Sequence, residues 1–151
     1  MKRSATAVVV ALGLGVAAGA VFAQAKPETL VKQRQSVMTL QGKYFGPMAA
    51  MAQGKAPYNA DVIKRNSAYL DNLSRMAWDG FDASTKDTKS AALPAIYEQG
   101  DKFKEAASRL ENEAHKLYQV AQSGDEAAVK TQIGAVGKAC GGCHNDFRQK
   151  Q

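Results

Sequence analysis

Apolar positions recur at helical spacing nearly throughout this chain, and no stretch of any length alternates as a strand would. A first helix is expected to open at Pro27-Glu28, since proline tolerates the first turn and an acid suits the positive end of the helix dipole. Its apolar side chains are Leu30, Val37, Met38, Phe45, Met48 and Met51, and Gly46-Pro47 predicts a kink within it. Ala52 to Tyr58, with Gly54 and Pro57, reads as a connection. Asn59 then caps a second helix with the seam Ile63, Asn66, Leu70, Leu73 and Ala77. Trp78 to Leu93 is rich in Gly, Asp, Ser, Thr and Lys, which predicts a surface loop over most of its length.

Pro94 opens the third helix. Its inner positions are Ile96, Gly100, Phe103, Ala107, Leu110, Ala114, Leu117 and Ala121, with charged residues between them. Gln122-Ser123-Gly124 ends it, and Ser123 with Glu126 is expected to form a capping box for the fourth helix. That helix carries Val129, Ile133, Val136, Cys140, Cys143 and Phe147 on one stripe, so both cysteines fall on its inward seam. The pattern therefore predicts an all-α fold, an antiparallel up-down-up-down four-helix bundle. Alanines and glycines in the seams leave room for a bulky group inside.

The N-terminus follows a different rule. Met1-Lys2-Arg3 is basic, Ala5 to Ala20 is almost wholly apolar, and Val21-Phe22-Ala23 places small residues at a cleavage point. This is the order of a secretory signal, shorter than a spanning segment of roughly 20 residues. The expected division is a cleaved signal over 1–23 and one domain over 24–151, exported to the periplasm. No later segment is apolar enough to span a membrane, so no membrane contact is expected after cleavage.

Cleavage removes Lys2 and Arg3, which lowers the formal charge from +6 to +4. The remaining basic residues are scattered along the chain rather than clustered, which argues for solvated helix faces and against a nucleic-acid surface. Both cysteines of the chain lie in one C-x-x-C, a pair too close to close a useful disulfide loop.

Chemistry concentrates at Cys140-Gly141-Gly142-Cys143-His144. Cysteines at i and i+3 project from one helix face about a turn apart. Two thiols so placed can form thioethers to the two vinyl groups of a porphyrin, and the adjoining His144 supplies an imidazole for the iron. One covalently attached haem c inside the bundle is the expectation. A thioredoxin-like dithiol would need a strand-to-helix setting, which the pattern lacks. A zinc site would need four ligands, and beyond the motif only His115 is on offer, which reads as a surface histidine. A haem-free helical binding module with an incidental CGGCH is the remaining alternative. No acid-base pair or nucleophile stands apart from the haem motif, so the chain is not read as an enzyme.

With the motif in the last of four helices, the sequence resembles the class II cytochromes c, the cytochrome c′ family. The resemblance runs from Lys26 to Lys150 and rests on KPETLVKQRQSVMTL, GKAPYN, RMAWDGF and GKACGGCHNDFRQK. It implies that Cys140 and Cys143 are the thioether cysteines and His144 the proximal iron ligand. Arg148 matches the basic residue beside the proximal imidazole, and one helical turn separates the two. Arg34 matches an arginine that meets a haem propionate, and Trp78 an aromatic near the haem edge.

Met38 matches the residue over the distal haem face. A thioether can pack there without binding, or ligate the iron as a sixth ligand. The first case is a five-coordinate, high-spin protein that binds small diatomic gases, nitric oxide and carbon monoxide. The second is a low-spin electron carrier with His144 and Met38 as axial ligands. The surroundings of Met38, with Arg34 four residues earlier, resemble the five-coordinate branch more closely. The resemblance also implies an unidentified redox partner and a homodimer through the first two helices, with Met48, Met51 and Tyr69 as candidate contacts.

Overall fold

The computed structural model describes residues 25–150, so the leader assigned to 1–23 lies outside the described residues. Four long helices carry the fold: α1 (Pro27–Ala52), α2 (Ala60–Ser74), α4 (Gly100–Ser123) and α5 (Glu126–Phe147). A one-turn helix, α3 (Ala95–Glu98), precedes α4. α1 packs on α2, α2 on α4, α4 on α5 and α5 back on α1, closing a four-sided bundle. None of the described helices is long and apolar enough to cross a membrane.

The expected seams of α4 and most of those of α2 and α5 are observed, whereas α1 buries Val31, Arg34 and Gln41 with Met48 and Met51 and leaves the expected Leu30, Val37, Met38 and Phe45 half-buried. Ile63, Leu70, Leu110, Ala114, Leu117, Val129, Ile133 and Val136 are buried together with Met48 and Met51. Burial of such side chains from water is the main stabilising term, about 1.5–3 kcal/mol for each large aliphatic group. Buried polar side chains stitch the helices in pairs. Gln41 donates to the Leu73 carbonyl at 2.9 Å, Asn66 to the Tyr44 carbonyl at 3.1 Å, and Gln132 to the Glu113 carbonyl at 3.0 Å. These bonds give buried amides the partners that burial requires.

Helix ends mostly follow local chemistry. The Asn59 side chain accepts from the Val62 amide at 3.0 Å, as expected of a cap. α5 is capped differently from the expectation: Asp125, not Ser123, accepts from the Ala128 amide at 3.0 Å. Ser123 instead donates to the Val120 carbonyl and closes α4, whose C-cap Gly124 takes the left-handed φ of 78° that suits glycine. α1 runs without a break through Gly46-Pro47. The third helix does break, at Gln99, where φ −120° and ψ 47° leave the helical region. Ile96 and Phe103, on either side of the break, both pack into one aromatic cluster.

The segment after α2 departs most from expectation. Two 3-10 turns, Trp78–Phe81 and Ala83–Thr85, replace most of the surface loop, and Gly80 and Thr85 are buried. The cause is Arg34 of α1, whose guanidinium reaches across and hydrogen-bonds both residues. The far end of this segment is also tied down. Leu93 donates to the Phe147 carbonyl at 3.0 Å and Gln149 to the Ala91 carbonyl at 2.8 Å, forming a short antiparallel bridge with the chain that leaves α5.

Candidate haem-attachment site

α5 delivers Cys140 and Cys143 to one face, both half-buried free thiols. They border different parts of the interior. Cys140 packs on the large aliphatic core, and Cys143 on a second cluster built from Ile96, Phe103 and Phe147. Trp78 packs on both clusters and so bridges the core bordered by Cys140 and the cluster bordered by Cys143. Burial pushes both thiols up, Cys143 to about 11. Desolvation penalises the thiolate, so both cysteines stay protonated at neutral pH.

Aromatic rings line the Cys143 side. Phe103 meets Phe147 edge-on at 5.3 Å and Phe81 at 4.9 Å between centroids, and Trp78 meets Phe103 edge-on at 5.9 Å. The Trp78 Nε1–H is buried and has no hydrogen-bond partner among the described residues. An orphaned buried donor asks for an acceptor that the protein itself does not provide.

His144 follows Cys143 on the exposed side of α5 and lines an open concavity with Asn145, Arg148, Gln149 and Lys150. Partial burial, and then the nearby Arg148 charge, hold its imidazole below the usual histidine range. The neutral form, with a nitrogen free to bind a metal, is therefore favoured. Arg148 lies beside His144 as expected, although by a different backbone. It is extended and bridged to Ala92 rather than helical, and its amide still donates to the His144 carbonyl at 3.1 Å.

The sequence-predicted residues of α1 lie one turn apart. Met38 is half-buried, whereas Arg34 is only 3% exposed. The Arg34 guanidinium donates to the Gly80 carbonyl at 2.7 Å, to Ser90 at 2.9 Å and to Thr85 at 3.0 Å. It also lies 4.4 Å from the centroid of the Phe81 ring. Gly80, Thr85, Ser90 and Tyr97 were not legible as site residues, because their spacing in sequence carries no motif. His115 stands apart from this site: it hydrogen-bonds Asp71 and Gln119 on the exposed α2–α4 surface.

Two of the three residues assigned to a subunit contact are placed elsewhere. Met48 is fully buried and Met51 nearly so, both within the monomer core, because α1 turns that face inward against α2, α4 and α5. Tyr69 is 45% exposed and stacks at a tilt on Tyr44, with ring centroids 4.8 Å apart. Leu40 and Met76 are the other large apolar side chains exposed on α1 and just beyond α2.

Comparison with known proteins agrees with this geometry. A family model described as Cytochrome C' matches residues 29–148. A cytochrome c' of Rubrivivax gelatinosus is 39% identical, with 83% of this chain and 98% of the relative covered. A cytochrome c-556 of Agrobacterium tumefaciens is 33% identical, with 80% of this chain and 98% of the relative covered. Among solved structures, the nitric oxide complex of a variant of cytochrome c prime from Alcaligenes xylosoxidans superposes with a TM-score of 0.78. It is 36% identical and covers 85% of this chain and 99% of its own. A carbon monoxide-bound variant of the same protein gives a TM-score of 0.77 at 36% identity, over 83% and 98% of the two chains.

Proposed function

The chain belongs to the cytochrome c′ family, whose members carry covalently attached haem c and are gas-binding or electron-carrier proteins rather than enzymes, and on that premise we propose that it is a five-coordinate, high-spin haem protein of the periplasm. Its ligands are small neutral diatomics, nitric oxide and carbon monoxide. The observation that carries the reading is that Cys140 and Cys143 border the two packing clusters that Trp78, whose N–H is orphaned, packs against together. Those residues fit a haem: two thiols for the tether, an apolar seam for the ring, and a buried donor for one of its acceptor groups.

When bound, the haem supplies an iron that changes charge by one electron and can accept a small ligand. The chain supplies the rest. Cys140 and Cys143 would hold the ring, and His144 would ligate the iron, its neutral form favoured by burial and by Arg148. Met38, half-buried one turn from Arg34 on α1, would keep water and anions from the iron without binding it. The nitric oxide and carbon monoxide complexes of variants of the related cytochrome c prime from Alcaligenes xylosoxidans support the gas-binding reading. The basic, apolar and small-residue order of 1–23 supports export. We assign a homodimer to the α1–α2 surface, with Leu40, Tyr44, Tyr69 and Met76 in place of the buried methionines.

The test is a carbon monoxide titration of the reduced protein, produced with the c-type haem maturation machinery and followed by absorption. Saturable binding by the unmodified protein is expected. Refusal of carbon monoxide, relieved in Met38→Ala, would establish the six-coordinate carrier instead.

A further inference from the structure

The end of α5 that carries Cys143 and His144 is the end where a helix is least secure. Both residues lie close to its last residue, Phe147. The last four carbonyls of a helix, here those of His144 to Phe147, find no N–H within it, and such ends fray. Two of the four are nevertheless satisfied. The Arg148 amide donates to the His144 carbonyl at 3.1 Å, and the Leu93 amide to the Phe147 carbonyl at 3.0 Å.

Both bonds belong to one clasp. Among the described residues the one β-bridge pairs Ala92 with Arg148, and the Gln149 amide closes its far side by donating to the Ala91 carbonyl at 2.8 Å. The loop half of the clasp is itself tied to α1. Ser90 Oγ accepts from the Arg34 guanidinium at 2.9 Å and from the Ala92 amide at 3.3 Å. Ala92, Phe147 and Cys143 also pack in one cluster. Pairing draws Arg148 out of the helix, to φ −126° and ψ 138°, and in that extended form it lines the same concavity as His144.

Resting on the haem reading above, we propose that Leu93 and Gln149 are positioning residues that act through their backbone amides. The two thioethers would pin the chain before His144, and the clasp pins it after. With both sides fixed, the imidazole is presented in one orientation and Arg148 stays beside it. Backbone bonds made by a remote loop thus do for His144 what outer partners commonly do for a metal-binding histidine.

The experiment compares Gln149→Pro and Gln149→Ala with the unmodified holoprotein. Arg148 already has the extended backbone of a residue that precedes proline, so Gln149→Pro removes the amide donor in a conformation that proline allows. Gln149→Ala keeps the donor and is the conservative control. Covalent haem content, amide hydrogen exchange and the iron–histidine stretching band of the ferrous protein, by resonance Raman, are read on each. In Gln149→Pro the Leu93 and Arg148 amides are expected to exchange about fivefold faster, the factor that losing one hydrogen bond brings. The band is expected to broaden and move to lower frequency, and Gln149→Ala to match the unmodified protein in both readings. Faster exchange with an unmoved band would overturn the proposal and leave a purely structural tie. Equal shifts in the two variants would overturn it too, by placing the effect in the side chain. If Gln149→Pro does not accumulate, a chain ending at Arg148 loses the same donor and is expected to show the same changes. Lack of covalent haem in the unmodified protein would refute the haem reading itself, whereas haem present with unmoved bands refutes only the clasp.

Discussion

Gly80 and Arg34 are fitted to each other at van der Waals contact. The Arg34 guanidinium donates to the Gly80 carbonyl at 2.7 Å, and a Cβ on Gly80 would stand 2.6 Å from the Arg34 Cβ and 2.8 Å from the Leu30 carbonyl oxygen. Neither neighbour is the loose end of a side chain, so α1 and the 3-10 turn would have to separate. Gly80→Ala is expected to cost about 1–3 kcal/mol, as overpacking of an interior does. Thermal unfolding of the holoprotein checks it; an unchanged midpoint would mean that the turn floats over α1.

Core packing leads to a second expectation. Leu117 is fully buried between the helices, so Leu117→Ala should destabilise the protein by about 2–5 kcal/mol through lost burial and the cavity left behind. The exposed Leu40→Ala should cost far less. Chemical denaturation of both variants measures the contrast.

The caps separate two residues that the sequence made look equivalent. Asp125 accepts from the first turn of α5 and Ser123 does not, so Asp125→Ala is expected to cost about 1 kcal/mol. Ser123→Ala loses only the hydroxyl bonds at the end of α4 and should cost less. The order of the two unfolding midpoints decides the assignment.

That case shows where reading the sequence stopped short. Seams such as Leu110, Ala114 and Leu117 were legible because helical periodicity is a local, repeated signal. Cys140, Cys143 and His144 were legible because their chemistry needs a fixed short spacing. Met48 and Met51 were misplaced because periodicity marks an apolar face without saying whether a helix or a second subunit covers it. The Arg34 contacts were invisible for a further reason: Gly80, Thr85, Ser90 and Tyr97 lie 46 to 63 residues away and meet it only in the folded chain.

The subunit surface is testable on Tyr69, which is exposed and stacked on Tyr44. Tyr69→Glu places a charge in the proposed contact and is expected to convert a dimer to a monomer in sedimentation equilibrium, with the haem spectrum unaltered. A monomer in the unmodified protein would contradict the assignment.

The central claim is an iron held by His144 with Met38 packed opposite and unbound. The spin state of the ferric protein, read by electron paramagnetic resonance on the unmodified chain and on Met38→Ala, tests it most directly. The account predicts a high-spin ferric iron in both. A low-spin signal in the unmodified protein that turns high-spin in Met38→Ala would contradict it.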